Sequence, residues 1–484
     1  MEPDIGHLNI NSVTRELRKD GLSLKNRLQS IIFDSFYVDQ VSSQLKYPVI
    51  PNERCGLWYV PAAKQTDTCY FKSTDGHTNQ WLFSMRRLNL HLLPILGKNK
   101  GIVIVDSTRK GKLMPDALLK TIPMWCAVLN YILYEDDETD PVWDDLKCRN
   151  WLRTPTEIIS VNEHNEMVKR IPGFAKEVTR LGLFNKDRLI RDLGAKKPLV
   201  PNWHYPGKVS KEELERDCFR LYCVTASKRM NEPRITLRHV VDDEQKLTTW
   251  YYIQGSADDH ELWATKEICQ GNLNGKLFWE SLYNSQIIDG DTGYIYDWLN
   301  DEDLTEKINN CYSNIYSYSD KGVNLEVGCV KNDTNDTNII LGVLRDDISY
   351  SDFLAAYPQV EQLIVLSTHE ISQIPESTKI GILQYKIESS KKGSKQLREI
   401  LPKLVPQLLQ QKTTMVLCDT GKDIGPGFVV LLLCKYYDLN WKLLSQEQRV
   451  NKDLVKMQLN LLCNVQKVNP SRNTLQSINT YLMN

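Results

Sequence analysis

No two cysteines in this 484-residue chain stand in a Cys-x-x-Cys spacing. The twelve cysteines are scattered, which argues against a zinc ribbon or a disulfide framework and for reduced thiols in a cytoplasmic setting. Long apolar runs are lacking as well. The longest, Phe428 to Cys434, is far short of the ~20 residues a spanning helix needs, so no membrane partner is expected. Nothing basic leads into an apolar stretch behind Met1-Glu2-Pro3-Asp4, and no secretory signal is expected. Net charge is almost absent, 60 basic against 61 acidic residues, which excludes histone-like bulk electrostatics. No repeat with a period of roughly 20 to 50 residues recurs, so solenoids and propellers are excluded too.

What is present is segregated charge. Lys391 to the C-terminus carries 14 basic and 6 acidic residues, whereas Asp289 to Asp352 carries 4 basic and 14 acidic. Arg86, Arg87, Lys98, Lys100, Arg109, Lys110 and Lys112 make a second basic stretch around the single acid Asp106. Any one such run reads as a solvated face. Two basic regions that each flank a polar loop suited to phosphate carry more weight.

Apolar periodicity predicts helices over 22–47, over 78–93 with a stop before Pro94, and from Pro123 through Ile132. Residues 102–105, 221–224 and 248–253 read as strands, the second fed by a helix that a capping box at Ser210 and Glu213 starts. In the last third, strands are expected over 339–344, 363–366, 380–385 and 414–417. A helix over 395–409 is split or kinked by Pro402 and Pro406, an apolar helix covers 428–436, and two more close the chain. The fold class is therefore α/β: an N-terminal α/β domain (1–300), an acidic linker (301–340) and a C-terminal α/β domain (341–484).

Three constellations can carry chemistry. Leu417-Cys418-Asp419-Thr420-Gly421-Lys422-Asp423-Ile424 runs from a buried strand into a helix, where free backbone N–H groups and the helix dipole suit a phosphate. Its layout is that of a thiol phosphatase, yet Ile424 stands where such enzymes hold the phosphoryl group with an arginine. Walker A spacing fails, since Val416 and Asp423 occupy the glycine and hydroxyl places. Cys418 alone reads more simply as a small buried residue. The second loop, Asp106-Ser107-Thr108-Arg109-Lys110-Gly111-Lys112, sets two hydroxyls and three cations at a strand end, with a solvated turn as the alternative. In the third, Asp258 and Asp259 follow a strand and Gly255-Ser256; they suit a hydrated Mg²⁺ or, equally, the first turn of a helix. Ser227 ends a further strand.

Gly101-Ile-Val-Ile-Val-Asp-Ser-Thr-Arg-Lys-Gly-Lys-Leu-Met-Pro-Asp116 and Ile122-Pro-Met-Trp-Cys-Ala-Val-Leu-Asn130 resemble the fungal and plant initiator tRNA phosphoribosyl transferases. So do Tyr252-Ile-Gln-Gly-Ser-Ala-Asp-Asp-His-Glu-Leu-Trp263, Leu417-Cys-Asp-Thr-Gly-Lys-Asp423 and Ser471-Arg-Asn-Thr-Leu-Gln-Ser-Ile-Asn479. The matching blocks run from about Cys55 to the C-terminus. The resemblance implies transfer of a ribosyl phosphate from 5-phosphoribosyl 1-diphosphate to the 2′-hydroxyl of adenosine 64 of initiator methionine tRNA, which keeps that tRNA out of elongation. It also implies that the C-terminal domain is similar to a dual-specificity phosphatase.

On that basis Arg109, Lys110, Lys112, Ser107, Thr108 and Ser227 are expected to hold one phosphate group, and Thr420, Gly421, Lys422 and Asp423 the other. Asp258 or Asp259 would help to carry Mg²⁺, and Asp419 or Asp106 would be the base. Lys391, Lys392, Lys395, Arg398 and Lys403 would cradle the tRNA. Arg109 and Lys422 are expected to serve a single pocket. The rivals are a dual-specificity phosphatase and a tRNA-binding protein without catalysis.

Overall fold

Leu28, Ile31, Ile32 and Val38 bury one face of helix α1 (Leu24–Leu45), whose first turn Ser23 caps by accepting from the Asn26 amide. The computed structural model describes residues 23–53, 55–108, 112–136, 151–182, 184–207, 217–227, 235–241, 246–252, 267–290, 293–316, 323, 325–332 and 334–483. The chain divides into two units, Met1–Ser84 with Leu92–Ile315, and Met85–His91 with Tyr316–Asn484.

The first unit continues through β1 (Val49–Pro51), α2 (Leu92–Asn99), β2 (Gly101–Asp106), α3 (Ile122–Tyr134), α4 (Val161–Val168), α5 (Ile171–Arg180) and α6 (Lys186–Leu193). β3 (Leu199–His204), β4 (Phe219–Thr225), β5 (Ile235–Val241), β6 (Lys246–Tyr252), α7 (Gly275–Asn284) and α8 (Asp301–Tyr316) follow. Four strands form a parallel sheet in the order β1-β2-β4-β3. β2 is buried along its whole length, as its unbroken apolar run requires in a sheet covered on both faces.

Three expectations change here. The stretch over 78–91 is not helical, because Trp81 (φ 38°) and Asn89 (φ 49°) take left-handed backbone. The helix begins at Leu92 instead and tolerates Pro94 in its first turn, where no intrahelical N–H is needed. The strand over 246–252 exists, but it pairs antiparallel with β5 outside the parallel sheet. Finally, Ala117–Tyr134, a wide turn running into α3, is long and apolar enough to cross a membrane by length and composition. Lys120 and Thr121 hid this from a run-length reading; 89% of the stretch is buried inside the protein. The capping box at Ser210 and Glu213 lies outside the described residues.

The second unit contains β7 (Glu326–Lys331), β8 (Asp336–Val343), β9 (Ile348–Ser349), α9 (Tyr350–Ala356), β10 (Gln362–Ser367) and β11 (Ile371–Ser372). It ends with β12 (Gly381–Lys386), α10 (Lys391–Leu404), β13 (Thr414–Cys418), α11 (Ile424–Tyr436), α12 (Lys452–Val465) and α13 (Arg472–Leu482). Its sheet runs β12-β10-β13-β8-β7, parallel except for the edge strand β7. α11 is apolar on nearly every side, which suits its buried place against α12 and α13. The segment expected as an acidic linker instead supplies α8 and the β7–β8 hairpin. Its Asn-rich tip is turn chemistry: Asn332 Oδ1 accepts from the amides of Thr334 and Asn335 at 2.9 and 2.8 Å. The loop expected over 418–427 shortens to five residues, because α11 already starts at Ile424.

Candidate active site

Parallel strands aim their C-terminal ends at one edge of a sheet, where ligands of α/β proteins usually bind. In the first unit that edge gathers Asn52 beyond β1, Asp106 and Ser107 at β2, Thr225 and Ser227 at β4, and His204 at β3. Asp106 and Thr225 are register partners. The Asp106 carboxylate is buried; Oδ1 accepts from the Ser107 amide at 2.9 Å and Oδ2 from Asn52 Nδ2 at 2.8 Å. Ser107 Oγ and Ser227 Oγ meet at 2.7 Å, so two serines 120 residues apart in sequence do converge.

Asn52 and His204 at this edge were not singled out from sequence, whereas Thr225 belongs to the strand end that includes Ser227. His204 is 2% exposed with neither ring nitrogen hydrogen-bonded, and burial pushes its pKa below the ordinary value, keeping the ring neutral. Thr225 is fully buried and its hydroxyl is also without a partner. Each unmet buried group costs about 1–3 kcal/mol. A polar residue closing an apolar strand was the available signal at Thr225.

Past Ser107, Thr108 is half-buried and Lys112 is exposed, its Nζ 2.7 Å from Asp116 Oδ2. Asp116 also holds the buried Lys120 at 3.2 Å, and Lys120 reaches Glu163 at 2.6 Å. Burial alone would raise Glu163, but hydrogen bonds from Lys120 and Trp81 hold it below its ordinary value. This network fixes the far end of the loop. Arg109, Lys110, Asp258 and Asp259 lie outside the described residues, so their expected phosphate and metal roles have no structural description. Among the described residues no three metal-ligating side chains gather.

In the second unit the Cys418 loop lies at the C-terminal end of the central strand β13. Gly421 takes φ 64°, and a Cβ there would come within 2.7 Å of Val343 Cγ2, so glycine is required. The Cys418 sulfur accepts from the Gly421 amide at 3.2 Å and is fully buried. Burial pushes its thiol up to about 11 despite the nearby backbone N–H groups of Gly421, Gly425 and Thr420, so it stays protonated at neutral pH. This disfavours the phosphatase rival, whose nucleophile must be an accessible thiolate.

Both carboxylates of the loop act as braces. Asp419 Oδ1 accepts from Ser367 Oγ, the Thr368 amide and Thr368 Oγ1 at 2.5, 2.8 and 3.1 Å, while Oδ2 accepts from the Ser389 amide at 3.4 Å. Such contacts tie β13 to the loops after β10 and β12, which the carboxylate braces. Asp423 likewise turns away from a phosphate role, for its Oδ1 accepts from the Ser471 amide at 2.7 Å and Thr474 Oγ1 at 2.6 Å. The sequence showed two acids in a phosphate loop and could not show that other loops supply donors to both.

These ties bring three helix N-termini to one short loop. α11 starts from it, α10 begins beside Ser389, and α13 begins at Ser471. None of the three carries an acidic residue in its first turn. Lys391, Lys392, Lys422 and Arg472 are exposed there, and Thr420 Oγ1 lies 3.5 Å from Ser389 Oγ. Positive dipole ends and cations together favour an anion. Arg472 is the residue that sequence spacing missed, because its place at the loop depends on the Asp423–Ser471 contact. Along α10, Lys391, Lys392, Lys395, Arg398 and Lys403 are all exposed while Leu397, Leu401 and Leu404 are buried, so the expected tRNA cradle is a solvent face about 18 Å long. The two loops expected to hold phosphate fall in different units, and the pairing of Arg109 with Lys422 lies outside what is described.

Residues 17–312 match the family described as the Rit1 N-terminal domain, and 381–482 that described as the Rit1 DUSP-like domain. Over 512 aligned residues the chain is 34% identical to the tRNA A64-2′-O-ribosylphosphate transferase of Saccharomyces cerevisiae, covering 99% of this chain and 95% of that one. It is 30% identical over 485 residues to an uncharacterized protein of Schizosaccharomyces pombe, covering 95% and 94% respectively. Among solved structures, the Yvh1 phosphatase domain of Chaetomium thermophilum is similar at 13% identity and a TM-score of 0.23, covering 31% of this chain and 92% of that one.

Proposed function

We propose that this chain, which belongs to the Rit1 family, transfers a ribosyl phosphate to the 2′-hydroxyl of adenosine 64 in initiator methionine tRNA, with 5-phosphoribosyl 1-diphosphate as donor. Likeness to the yeast transferase over 99% of the chain supports this activity. Within the geometry one observation carries it: the Cys418 loop gathers exposed Lys391, Lys392, Lys422 and Arg472 around three helix N-termini, one of them facing the Asp423 carboxylate, and buries its thiol. That arrangement binds phosphate without attacking it.

The reaction breaks the bond between the anomeric carbon and diphosphate and forms one to the ribose oxygen. Diphosphate leaves with the electron pair, and the hydroxyl proton passes to a base or to water. In this reading Lys422, Arg472, Thr420 and the Gly421 backbone take one phosphate group. In the first unit, Ser107, Thr108, Arg109, Lys110 and Lys112 are a second candidate phosphate-binding set, and the buried Ser107–Ser227 pair holds Ser107 in place. Holding donor and hydroxyl in line contributes about 7–11 kcal/mol, more than any single contact. Asp106 or Asp419 is the base in this reading; Asp106 accepts hydrogen bonds from Ser107 and Asn52, and Asp419 from Ser367 and Thr368. Mg²⁺ would arrive on the diphosphate, since such ions are bound largely through substrate phosphates. The reaction would take place in the cytoplasm, with its tRNA.

Donor-dependent labelling of initiator tRNA by the purified chain tests the proposal, with Lys422→Ala and Arg109→Ala alongside. Loss of labelling in both variants is expected. Hydrolysis of a phosphate ester that Cys418→Ser abolishes would favour the phosphatase reading. Tight tRNA binding with no consumption of donor would favour a binding protein.

A further inference from the structure

Helices α1 and α7, the 59–64 segment and residues 286–290 and 293–296 line a cavity of about 620 Å³ in the first unit. Phe36, Tyr59, Trp279, Tyr283 and Tyr296 supply aromatic walls. Trp279 stacks on Tyr283 (5.9 Å, 24°) and Tyr296 on Trp298 (4.0 Å, 25°). The outer member of each pair faces water: Tyr283 is 59% and Trp298 71% exposed. Neither ring is needed to fill the core.

The walls are set before any ligand arrives. Lys25 Nζ donates to the carbonyls of Tyr296 and Asp297 at 3.2 and 2.9 Å, and Asp301 accepts from the Leu24 and Lys25 amides at 2.9 Å each. Trp279 Nε1 donates to the Trp58 carbonyl at 3.1 Å. At the rim Asp39 and Lys64 pair at 2.6 Å with both side chains about half exposed, and Gln286 completes a polar edge. Burial and the neighbouring Asp39 carboxylate keep the Tyr283 hydroxyl protonated.

A flat π-faced group with a hydrogen-bonding edge and a negative charge beside it fits this arrangement. Unpaired bases of RNA have that chemistry and bind proteins by stacking on aromatic side chains. Resting on the reading that the substrate is a tRNA, we propose that this cavity takes an unpaired nucleobase of that RNA, stacked on Tyr283, its edge toward Asp39 and Gln286 and its phosphate toward Lys64.

The test titrates the full chain with a short oligoadenylate and with initiator tRNA, following tryptophan fluorescence, and measures transfer in parallel. Tyr283→Ala and Trp298→Ala alter exposed side chains. Tyr283→Ala is expected to weaken oligoadenylate binding about 5- to 150-fold and Tyr283→Phe to restore it. KM for tRNA should rise in the alanine variant with kcat little changed. Wild-type affinities for both RNAs in both alanine variants would overturn the proposal. So would ribose 5-phosphate displacing the oligoadenylate from this site, which would assign the cavity to the donor sugar. Transfer that proceeds while oligoadenylate fails to bind sinks the cavity assignment alone. Tyr283-dependent binding with no transfer sinks the transferase reading and leaves the cavity assignment standing.

Discussion

Asp419 is either a strut or a base, and Asp419→Asn separates the two because it keeps the shape and removes the charge. Three donors reach Oδ1 within 3.1 Å. Hydrogen bonds to charged acceptors contribute about 1.5–3 kcal/mol and those to neutral ones about 0.5–1.5, so roughly 1 kcal/mol is lost at each contact. The carboxylate is half-buried and Thr368 is exposed, and solvent screening reduces that sum to ~1–2 kcal/mol. In a unit of this size the melting temperature should fall by about 2–8 °C. Thermal unfolding followed by near-ultraviolet circular dichroism reads that shift, and single-turnover transfer with saturating donor reads the chemistry. A strut predicts lower stability and weaker donor binding with a modest effect on the saturated rate. A base predicts an unchanged melting temperature and a rate lower by ~10²–10⁴. The second result would refute the argument from the hydrogen bonds.

Three further outcomes are expected. Cys418, with its thiol pushed up to about 11 by burial, should resist iodoacetamide in the folded chain at pH 8, where about one part in a thousand is thiolate; stoichiometric labelling measured by mass spectrometry would contradict this. The triple variant Lys391→Ala, Lys395→Ala, Arg398→Ala should weaken tRNA binding and flatten its logarithmic salt dependence by about 2–3 units; an unchanged slope would take α10 out of the interface. His204 resists protonation in the fold, so its contribution to stability is present above its unfolded pKa near 6.5 and is lost as pH falls below it. Between pH 7 and 5 the parent should therefore lose more stability in denaturant titrations than His204→Leu, and parallel curves would refute the burial argument.

The strands and the two polar loops were legible because their signals are local. An apolar run such as 101–105 must be a buried strand, and Gly421 within a polar loop marks close backbone approach. The helix over 78–93 was misread because periodicity does not register the left-handed residues Trp81 and Asn89. Pro94 was read as a stop although it sits in a first turn.

The α/β class, the basic face of α10, the likeness to a transferase family and the departure at Ile424 from phosphatase chemistry were all readable from the chain alone. These depend on residue type and spacing, which the chain carries wherever it folds. It took the packed fold to show which donors reach Asp419 and Asp423, that Arg472 opens the helix Asp423 contacts, and that Ser107 meets Ser227. Each of those is a contact between segments tens to hundreds of residues apart. A carboxylate's role depends on which donors reach it, and those donors are chosen by the packing of strands and helix ends rather than by sequence neighbours.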